Sequence, residues 1–136
     1  PYPRRLRDMI EAGLIDWVGL DIKALPEHYG QVVGRANAAT KAWESLEVLL
    51  EAAGRGGPDF EVRTTVVPGD VTADDAVEVA RRVHAAGARV YALQQARSEG
   101  TSGEFDVVAP GWDGMCERMA ERIEALGWDR FTYRPA

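Results

Sequence analysis

Cysteine is almost missing from this chain of 136 residues: Cys116 is the only one. A single thiol excludes an internal disulfide framework and any multi-cysteine metal site built from this chain alone. Long apolar runs are missing too, and none approaches the roughly 20 residues that a membrane-crossing helix needs. The opening residues lack the charged-then-apolar pattern of a signal peptide, so the expected compartment is the cytoplasm, with no membrane partner. Positive charge is scarce and scattered. Lys and Arg number 16 against 22 Asp and Glu, a formal net charge of -6, with no arginine run longer than the pairs at Arg4-Arg5 and Arg81-Arg82. A nucleic-acid partner would call for a basic patch, and none is written here. What the chain does contain, 46% hydrophobic and 28% charged residues, suits one ordinary domain with a real core.

The apolar periodicity alternates between two kinds. A helical pattern over about Pro3 to Ala12 places Leu6, Met9, Ile10 and Leu14 at helix spacing, with Gly13 as C-cap. An apolar run from Ile15 to Ile22 reads as a strand buried on both faces, followed by a loop, LPEHYGQVVGRANA. A second helix, about Ala39 to Ala53, gathers Trp43, Leu46, Leu49 and Leu50 on one side. GRGGPD turns the chain; it has no following Lys-Ser or Lys-Thr and no strand before it, so it is not a phosphate loop. FEVRTTVVPG is a β-branched second strand, and Thr72 is expected as the next N-cap, with Asp75 completing an acidic capping box. The helix ADDAVEVARRVHAAG stops at Gly87, RVYALQQA is a third strand, and a polar loop covers 96–111. A last helix over about Trp112 to Leu126 precedes a short tail strand, FTYR. Strands alternating with helices through short links predict an α/β fold of parallel βα units, with strands near 15–22, 60–67 and 89–95 in sequential order and helices on one side.

The stretch DWVGLDIKAL ends an apolar strand with an acid and a base, Asp21 and Lys23, two residues apart and so on one face. Charges are rarely buried unless paired or functional. In parallel α/β folds the chemistry sits at the C-terminal ends of the strands. That rule selects Asp21 and Lys23, then Arg63 with Thr64 and Thr65, then Gln94, Gln95 and Arg97. Taken singly, each has a structural explanation: a rim ion pair, a bridge to a helix carboxylate, glutamines satisfying loop backbone. Three adjacent strands carrying such groups at one end point to a polar pocket.

GLDIKA followed by HYG, then EVRTTVVPGD, then YALQQAR, resembles the second half of radical S-adenosylmethionine activating enzymes. The likeness is greatest to the activating proteins of anaerobic ribonucleoside-triphosphate reductase, and it runs from the first helix to about Thr101. The resemblance implies the C-terminal half of a partial (β/α) barrel that binds S-adenosylmethionine and an Fe4S4 cluster. It implies an oxidoreductase chemistry in which a 5'-deoxyadenosyl radical takes a hydrogen from a glycine of a partner, a glycyl-radical enzyme such as anaerobic ribonucleotide reductase. It also implies roles: Asp21 and Lys23 near the ligand's amino-acid and ribose end, Arg63 near its carboxylate, and Gln94 to Arg97 along the adenine. A zwitterionic ligand needs an acceptor and a cationic donor, and the planar fork of Arg suits a carboxylate.

The family's Cys-x3-Cys-x2-Cys loop and its Gly-Gly-Glu-Pro segment have no counterpart in these residues. Cys116 falls in the last helix as a packing residue, and one thiol cannot supply the three ligands such a cluster requires. The expectation is a fragment of a longer protein, lacking the cluster-binding half and inactive alone. Two alternatives are a degenerate half-barrel that binds a partner protein and a Schiff-base lyase with Lys23 as its amine. His28 and Tyr29 read as solvated loop, His84 as an exposed helix residue, and Trp112 and Trp128 as cover for the core.

Overall fold

The computed structural model describes residues 3–28, 36–96 and 111–136, the side chains of 36–40 excepted. Tyr29, Arg97 and nearly all of the 96–111 loop therefore lie outside the described residues. Helix α1 (Pro3–Glu11) leads to strand β1 (Trp17–Asp21) and a short 3₁₀ turn (Pro26–His28). Then follow α2 (Ala36–Ala53), β2 (Asp59–Val66), α3 (Val71–Ala86), β3 (Val90–Gln95), α4 (Trp112–Glu124) and β4 (Arg130–Arg134). The four strands form one parallel sheet in the order β1-β2-β3-β4. The FTYR tail is a full member of it, beside β3. Sequential order follows from short βα links, each helix carrying the chain back to start the next strand alongside the last.

One face of the sheet is apolar and covered. Leu20, Val62, Val66, Tyr91 and Leu93 join a single core with Leu46 and Leu49 of α2, Val79 and Val83 of α3, and Cys116 and Ile123 of α4. Alternation along each strand sends these side chains to the helices and their neighbours to the other face. Fully burying one such aliphatic side chain contributes about 1.5–3 kcal/mol, so this shared layer holds the fold together. Within it Tyr91 is wholly buried; its hydroxyl pairs with Thr64, whose own hydroxyl donates to the Ile22 carbonyl at 2.9 Å. Burial pushes the Tyr91 phenol far above its ordinary range. Trp128 stacks on Tyr91 and Trp112 is buried, both covering core as expected.

Three local expectations are corrected. β1 is not buried on both faces: it is an edge strand, and Trp17, Gly19 and Asp21 are exposed. Its apolar character serves the one covered face, through Leu20 and the following Ile22. Thr72 does not cap α3. Asp70 is the N-cap, accepting from the Thr72 amide and hydroxyl at 3.3 and 2.9 Å, while Thr72 Oγ1 accepts from the Val67 amide. Asp75 is then free of the capping box and does something else, described below. His84 is half-buried: its Nε2 donates to the Gly127 carbonyl at 3.0 Å, and its ring meets Trp128 edge-on. Gly87, with φ of 115°, ends α3 in the left-handed conformation that glycine adopts without strain.

Candidate functional site

Among the described residues no helix lies on the sheet's second face, and the register fixes what stands there. Asp21 is opposite Arg63, Arg63 opposite Ala92, Thr65 opposite Gln94, and Gln94 opposite Arg134. Asp21, Arg63 and Gln94 thus share the helix-free face, and Lys23 follows just past the end of β1. Asp21 is exposed, and Lys23, Arg63 and Gln94 are half-buried. Gln95, one residue on, faces the helices instead. Its amide donates to Asp113 at 2.9 Å, and its carbonyl accepts from Tyr133 at 2.9 Å and from the Ala136 amide at 3.3 Å. Of the two glutamines, one packs structure and one lines the open face.

Arg63 does not reach a helix carboxylate. Its Nε donates to Glu61 Oε1 at 2.8 Å, two residues back on the same strand and the same face. Arg134, across β3, approaches the same oxygen at 3.4 Å. Glu61 itself is only 3% exposed, on a face that no helix covers among the described residues. Desolvating a carboxylate costs several kcal/mol, and two guanidinium groups offset that cost. Gly19 is the small residue beneath the Arg63 guanidinium. Asp21 has no ion-pair partner among the described residues.

A second polar element anchors the segment after Lys23. Asp75 of α3, buried, accepts from the Leu25 amide at 3.0 Å and from His28 Nδ1 at 3.0 Å. His28 is thus tied to a helix, not merely solvated. Glu27 beside it pairs with Arg82 at 3.0 Å, and that hydrogen bond holds the Glu27 carboxyl below its ordinary range.

A groove of about 800 Å³ opens at the other end of the sheet, among the N-terminal ends of the strands, with Trp17, Asp59, Val90 and Arg130 on its wall. Arg130 lies over the Trp17 ring, 5.6 Å from its centroid, a contact between the two edge strands. This groove has charged groups of its own, Asp59, Arg89, Asp129 and Arg130, whereas the residues singled out from the sequence stand toward the opposite end of the strands. Ligands in open parallel sheets bind at the carboxyl ends of the strands, where Asp21, Arg63 and Gln94 lie. Residues 29–35 and 97–110, which follow β1 and β3 in the chain, are outside the described residues.

Carboxylate, ammonium, guanidinium and amide groups, the types that a zwitterionic ligand calls for, stand on one face, with the Arg63 guanidinium lying over Gly19 where a Cβ would meet it. This set does not fit an iron–sulfur cluster. Cys116 is fully buried on the helix side, and burial, with the Asp113 carboxylate adding to it, pushes its thiol up to about 11. Among the described residues no three His, Cys, Asp or Glu side chains are grouped to hold a metal. No helix among them is long and apolar enough to cross a membrane. No family model matches the chain, and no curated protein matches it.

The sequence missed Glu61, Arg134, the role that Asp75 takes and the spacing role of Gly19. Glu61 had a signal: an acid two residues before an arginine on a strand shares its face.

Proposed function

We propose that these residues are part of a radical S-adenosylmethionine activating enzyme, acting on a glycyl-radical enzyme such as anaerobic ribonucleotide reductase. Its ligand surface is the helix-free face of the sheet. One observation carries the reading: Asp21, Arg63 and Gln94, on three adjacent strands, share the only face that helices leave open among the described residues, at the end where such sheets bind ligands. When bound in such enzymes, S-adenosylmethionine supplies the hydrogen-abstracting group. The chain's own residues hold it. Lys23 and Arg63 offer cationic donors to the carboxylate and ribose end, Asp21 accepts from the ammonium, and Gln94, which Arg97 follows in the chain, lies along the adenine. The thiolates of a cluster would come from residues other than these 136, because Cys116 is the only cysteine here.

Calorimetric titration of S-adenosylmethionine into the natural full-length protein tests the reading. Losing one charge-assisted hydrogen bond costs about 1.5–3 kcal/mol, or roughly ten- to a hundredfold in affinity, for Lys23→Ala or Arg63→Ala. Unchanged affinity in both variants would end the proposal.

A further inference from the structure

An acid buried on an open face is unusual, and Glu61 is one. Its Oε1 takes the Arg63 Nε–H at 2.8 Å and lies 3.4 and 3.5 Å from the two Nη atoms of Arg134. The Arg63 guanidinium is laid over Gly19: a Cβ built there would come within 2.5 Å of Cζ and 2.9 Å of Nη1. Any side chain at residue 19 would push the guanidinium away. With Nε engaged, the two Nη groups of Arg63 have no hydrogen-bond partner among the described residues, and the side chain remains 35% exposed. A planar guanidinium held by one edge presents the other as a two-donor fork.

We propose that Glu61 is a positioning residue: it fixes Arg63 so that the Nη fork is set in advance for the carboxylate of the bound ligand. This rests on the ligand reading above and goes further, naming the residue that orders the site. An arginine side chain gives up rotamer freedom when it is fixed, and a guanidinium already fixed does not lose it again on binding. The alternative is purely electrostatic and has the opposite sign. Glu61 lowers the positive potential around Arg63, so on charge alone its removal would tighten an anion's hold. Positioning predicts that its removal weakens it.

The test uses the natural full-length protein and two probes, S-adenosylmethionine and 5'-methylthioadenosine, the second lacking the amino-acid end. Glu61→Ala and Gly19→Ala should each weaken S-adenosylmethionine about tenfold and leave methylthioadenosine within about twofold, the fold-change expected for partial loss of one ordered ionic contact. Glu61→Gln should restore most of the affinity, since its amide oxygen still accepts from Nε. Gly19→Ala alters no charge, and its φ is not in the left-handed range, so it decides the matter even where Glu61→Ala does not fold. Tighter binding in Glu61→Ala, or wild-type affinity in Gly19→Ala, overturns the inference. If Arg63→Ala weakens S-adenosylmethionine selectively while those two variants do not, positioning fails and the ligand reading stands. If Arg63→Ala has no effect, both fall.

Discussion

Asp75→Ala should be among the most damaging single polar substitutions in this chain. The carboxylate is buried on α3 and accepts two hydrogen bonds from the segment that leaves β1, at Leu25 and His28. The Leu25 amide is itself in the buried part of that segment, so truncating Asp75 leaves a buried N–H without its acceptor. An orphaned buried donor costs about 1–3 kcal/mol, and a hydrogen bond to a charged group contributes about 1.5–3. These describe one loss from two sides and do not add. The His28 contact, with His28 40% exposed, contributes about 0–1 kcal/mol more. The expected cost is therefore about 2–4 kcal/mol, large against a total stability of roughly 5–15. With a urea m value near 2 kcal/mol per molar, the unfolding midpoint should fall by about 1–2 M. Asp75→Asn keeps an acceptor for Leu25 and should cost about half as much, and His28→Ala about 1 kcal/mol or less. The consequence reaches the site, because Leu25 lies two residues beyond Lys23 and its amide bond fixes where β1 delivers that lysine. Urea melts of the three variants, followed by circular dichroism, decide it. If Asp75→Ala unfolds within about 0.5 kcal/mol of wild type, or His28→Ala costs as much as Asp75→Ala, the anchoring argument is wrong.

Two further outcomes follow from the same geometry. Asp70→Ala should cost about 1 kcal/mol, the usual value of an N-cap, and Thr72→Val a comparable amount through the Val67 amide, both read by thermal melts; no change in either would reject the cap as described. The Cys116 thiol sits near 9 when free and about 11 when folded. Its contribution to stability is therefore whole below pH 9 and lost as pH rises toward 11, where the unfolded chain ionises first. Denaturation at pH 8 and pH 10.5 should show a smaller alkaline loss in Cys116→Ala than in wild type, and equal losses would contradict the burial argument.

The sequence made the βα alternation readable because each strand is a largely β-branched or apolar run, β2 closed by Pro68-Gly69, and each helix keeps a 3.6-residue apolar stripe. FEVRTTVVPG and VYALQQ were found almost to the residue for that reason. β1 was read as too long and too buried. Its apolar residues look the same whether one face or two are covered, and only the absence of helices on the second face shows which. Thr72 and Asp70 compete for the same cap two residues apart, and local propensity favours either; the choice depends on where the chain leaves β2. Arg63 was identified as a site residue, but with its partner taken to be the ligand alone. The structure places Glu61 beneath it, so Arg63→Ala also leaves a buried carboxylate with only the longer Arg134 contact, and its stability cost exceeds what the sequence suggested. Asp75 could not be read from sequence, because its partners lie 47 and 50 residues away.

The measurement closest to the central claim is a map of backbone amide shifts as S-adenosylhomocysteine, an unreactive relative of the ligand, is titrated into isotope-labelled natural protein. Binding at the carboxyl end of the helix-free face predicts perturbations gathered at Asp21 to Lys23, at Arg63 to Thr65 and around Gln94, with Trp17, Asp59 and Arg130 unmoved. Perturbations centred on Trp17, Asp59 and Arg130, in the groove at the opposite end of the sheet, would contradict it.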